Sequence, residues 1–444
     1  MYVFDTVLFF LFIARKTKGD PVKQKNYMNK LASMILHWDL CILLFFPFVF
    51  GLSVYSGAIG NYSFFYRAIG VGSTILLCIL AVLRKYEYPI GIGKYVICAI
   101  VIIVVSSVIG AIRYGNLKGD IYFVRLEIVF ACFIFFLVAF TLNKTYTKQY
   151  NLGICVVSWL IFFSAIYGLV DYIIYHAFLG DFVFRLHSVY LNPIPGGHIF
   201  LFGLWLPLTP NNLKGKSNEI VIKIIVYMPA IMLCQSRSIW LGLAVSALVY
   251  FICNIDQLRN ALVRIPRTAK IVCSIILLVI MCVCAFIFMR IFMYRFSGSS
   301  VQQPINLRLS YISYTLSQVA SSNILEIIFG HGFDWSRAMI IQSPVYEEPY
   351  GICDNGYMTA LYDWGLISII LVGYFLLASF YYVKRNADNQ NGDQVKKGAA
   401  MALIASVIPS FFYDIQGWIT PMILILSCMV YFIPAKSGRV NIIE

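Results

Sequence analysis

Three arginines lie in turn-forming or polar sequence between long apolar segments, and their side chains suit phosphate binding. Arg237 lies in the turn Cys234-Gln-Ser-Arg-Ser238, and Arg185 precedes the helix-breaking stretch Asn192-Pro-Ile-Pro-Gly-Gly197. Arg308 lies in a long polar and aromatic stretch. A guanidinium binds phosphate oxygens in bidentate fashion, whereas an ammonium acts as a point charge. A charge between two apolar segments is costly, which favours a functional role; for Arg237 the alternative is a helix start capped by Ser236 or Ser238.

A carboxylate and three histidines are the other candidates for chemistry. Asp354 closes the long loop and precedes the next apolar segment, where it could cap a helix or accept a proton from a sugar hydroxyl. His187 and His198 could act in catalysis, although a lone histidine beside a helix start is more often structural. His331 lies between two glycines and is typical of a tight turn. There is no metal-ligand spacing, phosphate-cradling loop or serine-hydrolase elbow, so we expect neither a metal nor a cofactor.

The composition indicates which elements must position these residues. Of 444 residues, 60% are hydrophobic and only 12% are charged, against about 25% charged in soluble domains. A bilayer-spanning bundle needs that much apolar surface, whereas a soluble core does not. The net charge of +14 therefore does not indicate nucleic-acid binding. Most of the 12 cysteines lie inside apolar runs and are predicted to be membrane-packed thiols.

Twelve apolar segments predict an all-α polytopic membrane bundle of about twelve transmembrane helices. Residues 2–13 are too short to span comfortably and are expected to lie at the interface. The predicted spans are 33–55, 67–83, 95–112, 121–142, 152–177, 196–210, 219–235, 238–253, 271–290, 357–383, 399–413 and 419–434.

The distribution of lysine and arginine predicts the orientation. Seven connections, including both ends of the chain, hold 24 of the 34 basic residues, so both termini are expected to be cytoplasmic. Residues 291–354 then form one long extracytoplasmic loop between a nine-span bundle (1–290) and a three-span bundle (355–444). The opposite side carries eight arginines but Lys118 as its only lysine. This bias, which orientation alone does not predict, favours phosphate binding outside.

The order of the motifs resembles the superfamily of Wzy-type polysaccharide polymerases and O-antigen ligases. The motifs span roughly residues 180–375 and carry the resemblance together. They are Arg185 with a loop to Asn192-Pro193, Ser236-Arg-x-x-Trp-Leu241, Arg308 in a long outer loop, Phe329-Gly-x-Gly332, and Asp354-Asn-x-Tyr-x-x-x-Leu-x-x-x-Gly365.

The resemblance implies a GT-C-like, metal-independent glycosyltransferase of the bacterial inner membrane. Its substrates would be undecaprenyl-diphosphate-linked oligosaccharides, bound on the extracytoplasmic side of the bilayer, and its partners a chain-length regulator and a flippase. Arg237 and Arg308 would bind the diphosphate, and Asp354 would act as base or orienter in an inverting transfer. Further substrate-binding residues are predicted within the motifs: Arg185, His187, Asn192, Ser236, Asn355 and Tyr357.

The resemblance favours a polymerase over the alternatives. Ligases of the superfamily usually have His-Asn where this chain has Asp354-Asn355, and many polymerases have Asp-Asn there. An O-antigen ligase is the nearest alternative, and a lipid-linked oligosaccharide flippase is a second. Flippases usually have short loops and related halves, whereas this chain has a 64-residue outer loop.

Overall fold

A computed structural model describes most of the chain from residue 89 onward. The described residues are 89–114, 119–177, 185–186, 188–190, 192–209, 216–255, 302–347, 355–386, 393–411 and 419–434. Every element among them is helical. This agrees with the predicted all-α class.

Nine of the predicted apolar segments fall wholly or mostly within the described residues, and a helix covers most of each one. The segments 33–55, 67–83 and 271–290, and residues 2–13, lie outside the described residues. The nine helices are α1 (Ile92–Tyr114), α2 (Gly119–Thr145), α3 (Thr147–Tyr172), α4 (Pro193–Trp205), α5 (Lys216–Leu233), α6 (Arg237–Cys253), α10 (Gly356–Arg385), α11 (Gln394–Ser410) and α12 (Ile419–Met429).

The helices of the described part include spans that are apolar and long enough to cross a bilayer. Three meet both conditions: Ile92–Gly110, Thr147–Tyr175 and Gly356–Arg385. Shorter apolar helices cover Val129–Thr145, Arg237–Cys253 and Thr420–Phe432. These helices indicate a membrane protein, while the total of about twelve spans and the GT-C-like arrangement stay predictions.

Among the described helices, α11 packs against four others: α4, α6, α10 and α12. Its buried face is made largely of glycine, alanine and serine, which allow close approach of helix backbones in a membrane. A Cβ at Gly242 of α6 would lie 2.9 Å from the Ala405 carbonyl oxygen. A Cβ at Gly398 would lie 2.7 Å from the Trp205 carbonyl oxygen of α4. The small residues therefore set the spacing of α4, α6 and α11.

One end of the bundle collects the lysine-rich connections. The Lys397 ammonium donates to the Asn254 side-chain oxygen at 3.0 Å. The Asn151 amide donates to the Asp393 carboxylate at 3.3 Å and accepts from the Tyr431 hydroxyl at 2.8 Å. Parts of connections that the charge pattern assigns to one side of the membrane are thus neighbours in space. We call this the lysine end.

Residues 302–347, which belong to the predicted outer loop, form three helices that we call the loop module. They are α7 (Gln302–Ser321), α8 (Ile324–Phe329) and α9 (Trp335–Ile341). Tyr311, Met339 and Ile340 form a small hydrophobic cluster with Tyr362 of α10. The module therefore packs on α10 through a core of its own.

Helix α10 is bent at Gly365, whose φ of +68° is far from helical values. Residues 356–364, which we call the half-helix, precede this bend. The Tyr357 hydroxyl at its start donates to the Val407 carbonyl of α11 at 2.8 Å. The Trp364 indole at its end donates to the Ser107 hydroxyl of α1 at 3.1 Å. The half-helix therefore bridges α11 and α1 at the end of the bundle opposite the lysine end.

Candidate functional site

Arg237 is the first residue of α6 and is exposed at a tight turn after α5. Gln235 in this turn has a left-handed φ of +49°. Ser236 occupies the N-cap position, but its hydroxyl makes no capping hydrogen bond and lies 3.0 Å from the Ser238 hydroxyl. A cation at a helix N-terminus is disfavoured by the helix dipole, whereas an anion there is stabilised. The missing capping bond weakens the alternative in which Ser236 caps α6. A bound anion beside Arg237 would offset the unfavourable interaction of its charge with the helix dipole.

Arg185 lies at the same turn. Its Nε donates to the Cys234 carbonyl oxygen at 3.1 Å, and the Leu186 amide donates to the Leu233 carbonyl at 2.9 Å. Two arginines that are 52 residues apart in the sequence thus flank one helix start. Such a pair, next to helix amides, is suited to binding a phosphate group.

Asn192 has a structural role at the start of α4. Its side-chain oxygen accepts from the Ile194 amide at 2.9 Å, and Pro193 follows at the first helical position, as is common at helix starts. Within α4, a Cβ on Gly197 would lie 3.3 Å from the Cys234 Cβ. Asn192 therefore fixes a helix that packs against the turn; its predicted contact with substrate stays a prediction.

Of the two histidines predicted near this turn, only His198 is among the described residues. His198 is completely buried in α4, with its ring 5.5 Å from that of Phe202, which agrees with a structural role. His187 lies outside the described residues.

Asn355 caps α10 and is buried. Its side-chain oxygen accepts from the Tyr357 and Met358 amides, both at 3.1 Å. The N-cap position of α10 thus belongs to Asn355, so the alternative role of Asp354 as the cap is wrong. Asp354 itself lies outside the described residues.

The start of α10 and the α5–α6 turn converge on the same end of α11. The Tyr357 ring lies 4.3 Å from that of Phe411. On the other side, a Cβ at Gly242 would lie 2.9 Å from Pro409 ring atoms. Arg237 is five residues before Gly242, about 7–8 Å along a helix axis. The fold therefore gathers Arg185, Arg237, Asn355 and Tyr357 around the end of α11.

Arg308 lies on the loop module. It is half-buried on α7, next to Leu307, which packs against the cluster around Tyr311. Met358 of the half-helix packs against the same cluster. The structure thus places Arg308 on a different element from Arg185 and Arg237, on a helix that contacts the half-helix.

The residue that the sequence prediction missed is Asp363 in the half-helix. It is fully buried, and its carboxylate accepts from the Asp334 amide at 2.8 Å and the Ser336 amide at 2.7 Å. The Gly332 amide donates to the Asp363 carbonyl at 2.7 Å. An acidic residue inside an apolar run is the signal that could have pointed to it.

His331 lies beside Asp363, where the loop module meets α10, and its contacts are those of a structural residue. Its ring stacks on that of Tyr362 with centroids 4.2 Å apart, and Nδ1 lies 3.1 Å from the Tyr362 carbonyl oxygen. The flanking glycines, Gly330 and Gly332, have φ of +75° and +110°. The chain bends at His331 between these glycines, which agrees with the predicted turn.

An apolar cavity of about 210 Å³ lies beside the half-helix. Among the described residues, it is bounded by Tyr357 and Trp364 of the half-helix and by faces of α1, α2, α11 and α12. The serines Ser368, Ser406 and Ser410 are among its few polar groups. A long hydrocarbon chain is the chemical class that matches this lining.

The described residues include no obvious metal site and several free cysteines. No group of three histidine, cysteine or acidic side chains suited to a metal occurs in the described ranges, and metal independence stays a prediction. Six cysteines of the described part are free thiols: Cys98, Cys132, Cys155, Cys234, Cys253 and Cys428.

The comparison with protein families gives one finding. A family model described as O-antigen ligase matches residues 224–373, about a third of the chain, from α5 through the loop module into α10. The match includes Arg237, Arg308 and the half-helix, but not Arg185 or Asn192. The search of curated proteins gives no match. Residues 224–373 are therefore similar to the O-antigen ligase family, which supports the resemblance to the O-antigen polymerase/ligase superfamily.

Proposed function

We propose that this protein is a polysaccharide polymerase of the bacterial inner membrane. It transfers a growing undecaprenyl-diphosphate-linked glycan onto the next lipid-linked repeat unit at the extracytoplasmic face. The observation that carries the proposal is the pairing of Arg185 and Arg237 at one turn. The turn and Arg237 lie within the residues that the family model matches, whereas Arg185 precedes them. The turn is at the end of the bundle opposite the lysine end.

The chemistry needs a cationic site more than a nucleophile. The anomeric carbon of the donor is already activated by its diphosphate, which leaves as the acceptor hydroxyl attacks. Arginines at the leaving group stabilise the developing charge, and the helix start of α6 adds its amide dipoles. Direct displacement inverts the anomeric centre, and Asp354 accepts the proton of the acceptor hydroxyl.

The bundle also offers a place for the lipid part of the donor. The apolar cavity beside the half-helix can hold part of a polyprenyl chain while the diphosphate remains at the arginine turn. Desolvated apolar area contributes about 25 cal/mol per Å², so even partial insertion adds to affinity. This placement supports a lipid-linked donor over a soluble sugar nucleotide.

An O-antigen ligase is the second candidate, favoured by the description of the matching family. A ligase would transfer finished glycan to a different acceptor, using the same arginines on the same leaving group. The sequence Asp354-Asn355, in place of the His-Asn usual in ligases, favours the polymerase. None of the findings supports a flippase.

The test is complementation of a gene deletion, with surface glycan displayed on a gel. For a polymerase, deletion leaves single repeat units on the final carrier, and Arg237→Ala or Arg308→Ala fails to restore long chains. Loss of one charge-stabilising donor lowers the rate by about 100-fold or more. Arg337→Ala is the matched control, because Arg337 is an exposed arginine on α9 of the loop module.

The accumulated product separates the candidates. Full-length polymer that stays on the undecaprenyl carrier after deletion identifies a ligase. Repeat units on the cytoplasmic face after deletion contradict both transferase activities. Restoration of long chains by Arg237→Ala and Arg308→Ala, with membrane levels equal to wild type, contradicts the proposed role of the arginines.

A further inference from the structure

A buried carboxylate on α10 binds backbone amides of the loop module. Asp363 has no exposed surface, and its two carboxylate oxygens accept from the amides of Asp334 and Ser336 at 2.8 and 2.7 Å. Hydrogen bonds from amides to a carboxylate are stronger than those between neutral groups. Burial of the charge is costly and is tolerated only with such partners. These hydrogen bonds therefore hold the 334–336 segment of the loop module against α10 in one specific position.

The backbones on the two sides of these hydrogen bonds are in direct contact. Gly330 has a φ of +75°, and a Cβ there would lie 2.3 Å from the Asp363 carbonyl oxygen. Gly365 has a φ of +68°, and a Cβ there would lie 2.3 Å from the Ile328 carbonyl oxygen. We call residues 328–336 and 362–365 the clasp. Neither glycine leaves room for a side chain, so a substitution at either position would push the two backbones apart.

The clasp joins the two elements that carry the separate parts of the site. Helix α7, with Arg308, leads through α8 directly into residues 328–336. Asp363 is on the half-helix that Asn355 caps, eight residues after Asn355 or about 12 Å along the axis. We infer that Asp363 is a positioning residue, which holds the loop module and its Arg308 at a fixed distance from the Asn355 end of the half-helix. The inference rests on the proposed function, since it takes Arg308 as a ligand of the donor diphosphate.

The chemistry of the carboxylate explains why a neutral isostere is a sharp test. An asparagine accepts on one oxygen only, and its amide group would face a second backbone N–H. One buried amide would then have no acceptor, which is unfavourable. Asp363→Asn changes almost no volume, so it weakens the clasp with minimal effect on the packing around it.

The experiment compares Asp363→Asn with the wild-type protein in lipid nanodiscs. Amide hydrogen exchange reports the clasp, and release of undecaprenyl diphosphate from a lipid-linked repeat unit of the host reports activity. We expect faster exchange in residues 332–336, with α11 still protected. We also expect kcat/KM for the donor to fall by about 100-fold, since small misplacements can have that effect. Arg308→Ala should lower the same parameter, kcat/KM for the donor.

Asp393→Asn is the matched control. Asp393 accepts from the Lys396 amide at 3.1 Å at the start of α11, so the same chemical change is made at the lysine end. It should leave exchange at the clasp and the donor kinetics unchanged. If Asp363→Asn does not accumulate, Gly330→Ala disrupts the clasp from the loop side and is measured in the same way.

Two results would overturn the inference, and a third would contradict the function on which it rests. Unchanged exchange at residues 332–336 would show that the carboxylate does not hold the loop module. Faster exchange with normal donor kinetics per folded molecule would show that the clasp only stabilises the fold. A wild-type protein that releases no undecaprenyl diphosphate would contradict the proposed function itself, while the exchange data would still report on the clasp.

Discussion

At the scale of single residues, the shape of the cation at position 237 should matter as much as its charge. Arg237→Lys keeps the charge but removes the planar fork that binds two phosphate oxygens. A hydrogen bond to a charged group contributes about 1.5–3 kcal/mol, so loss of one should lower kcat/KM for the donor about tenfold or more. The measurement is steady-state release of undecaprenyl diphosphate. Arg337→Lys serves as the control, and equal activity of both lysine variants would refute bidentate binding at position 237.

The sequence predicts the residue types of the site better than their contacts. It selects Arg185 and Arg237, and the structure brings them to one turn. It selects Asn192 and Asn355 as substrate ligands, and the structure shows that both side chains cap helices. Capping and ligand binding favour the same amide oxygen at a helix start, so residue type alone does not separate the two roles.

At the scale of elements, the close contact between α6 and α11 should be sensitive to one methyl group. In Gly242→Ala, the new Cβ would lie 2.9 Å from the Ala405 carbonyl oxygen and from the Pro409 ring. Overpacking of this kind typically destabilises by about 1–3 kcal/mol. It should also move Arg237 relative to Tyr357, so we expect a lower melting temperature together with lower specific activity.

Gly373→Ala provides the matched control for this prediction. Gly373 is in α10, and a Cβ there would meet nothing within 4 Å, so stability should be unchanged or slightly higher because alanine favours helix. Thermal unfolding of both purified variants, followed by tryptophan fluorescence, is the measurement. A Gly242→Ala protein as stable as Gly373→Ala would show that α6 and α11 are not held at the observed distance.

Hydrophobic periodicity and length predict the helices of the bundle, because a bilayer requires long apolar segments. The same argument misses the bend of α10. The predicted span 357–383 is continuous in hydropathy, yet the backbone turns at Gly365 to accommodate Ile328 and Gly330. That bend depends on a contact with a segment more than thirty residues earlier, which local sequence does not reveal.

At the scale of the whole molecule, the two ends of the bundle differ in the kind of cation they carry. At one end, Lys397 bonds to Asn254 and Asn151 bonds to Asp393. At the other end, Arg185 and Arg237 lie at one turn. Successive helices such as α5 and α6, or α10 and α11, run in opposite directions, so connections that alternate along the sequence lie at opposite ends of the described bundle. Lysine at one surface fits orientation by the positive-inside rule, and arginine at the other fits phosphate binding.

This arrangement predicts which surface is cytoplasmic. A reporter inserted after Asn386, at the end of α10, should lie in the cytoplasm, and one inserted after Gln342, at the end of α9, should lie outside. Green fluorescent protein should therefore fluoresce only at the first position, and alkaline phosphatase should be active only at the second. Glycan production by each fusion strain confirms that the insertion leaves the fold intact. The opposite pattern would place the arginine turn in the cytoplasm, where lipid-linked repeat units that have already been translocated could not reach it.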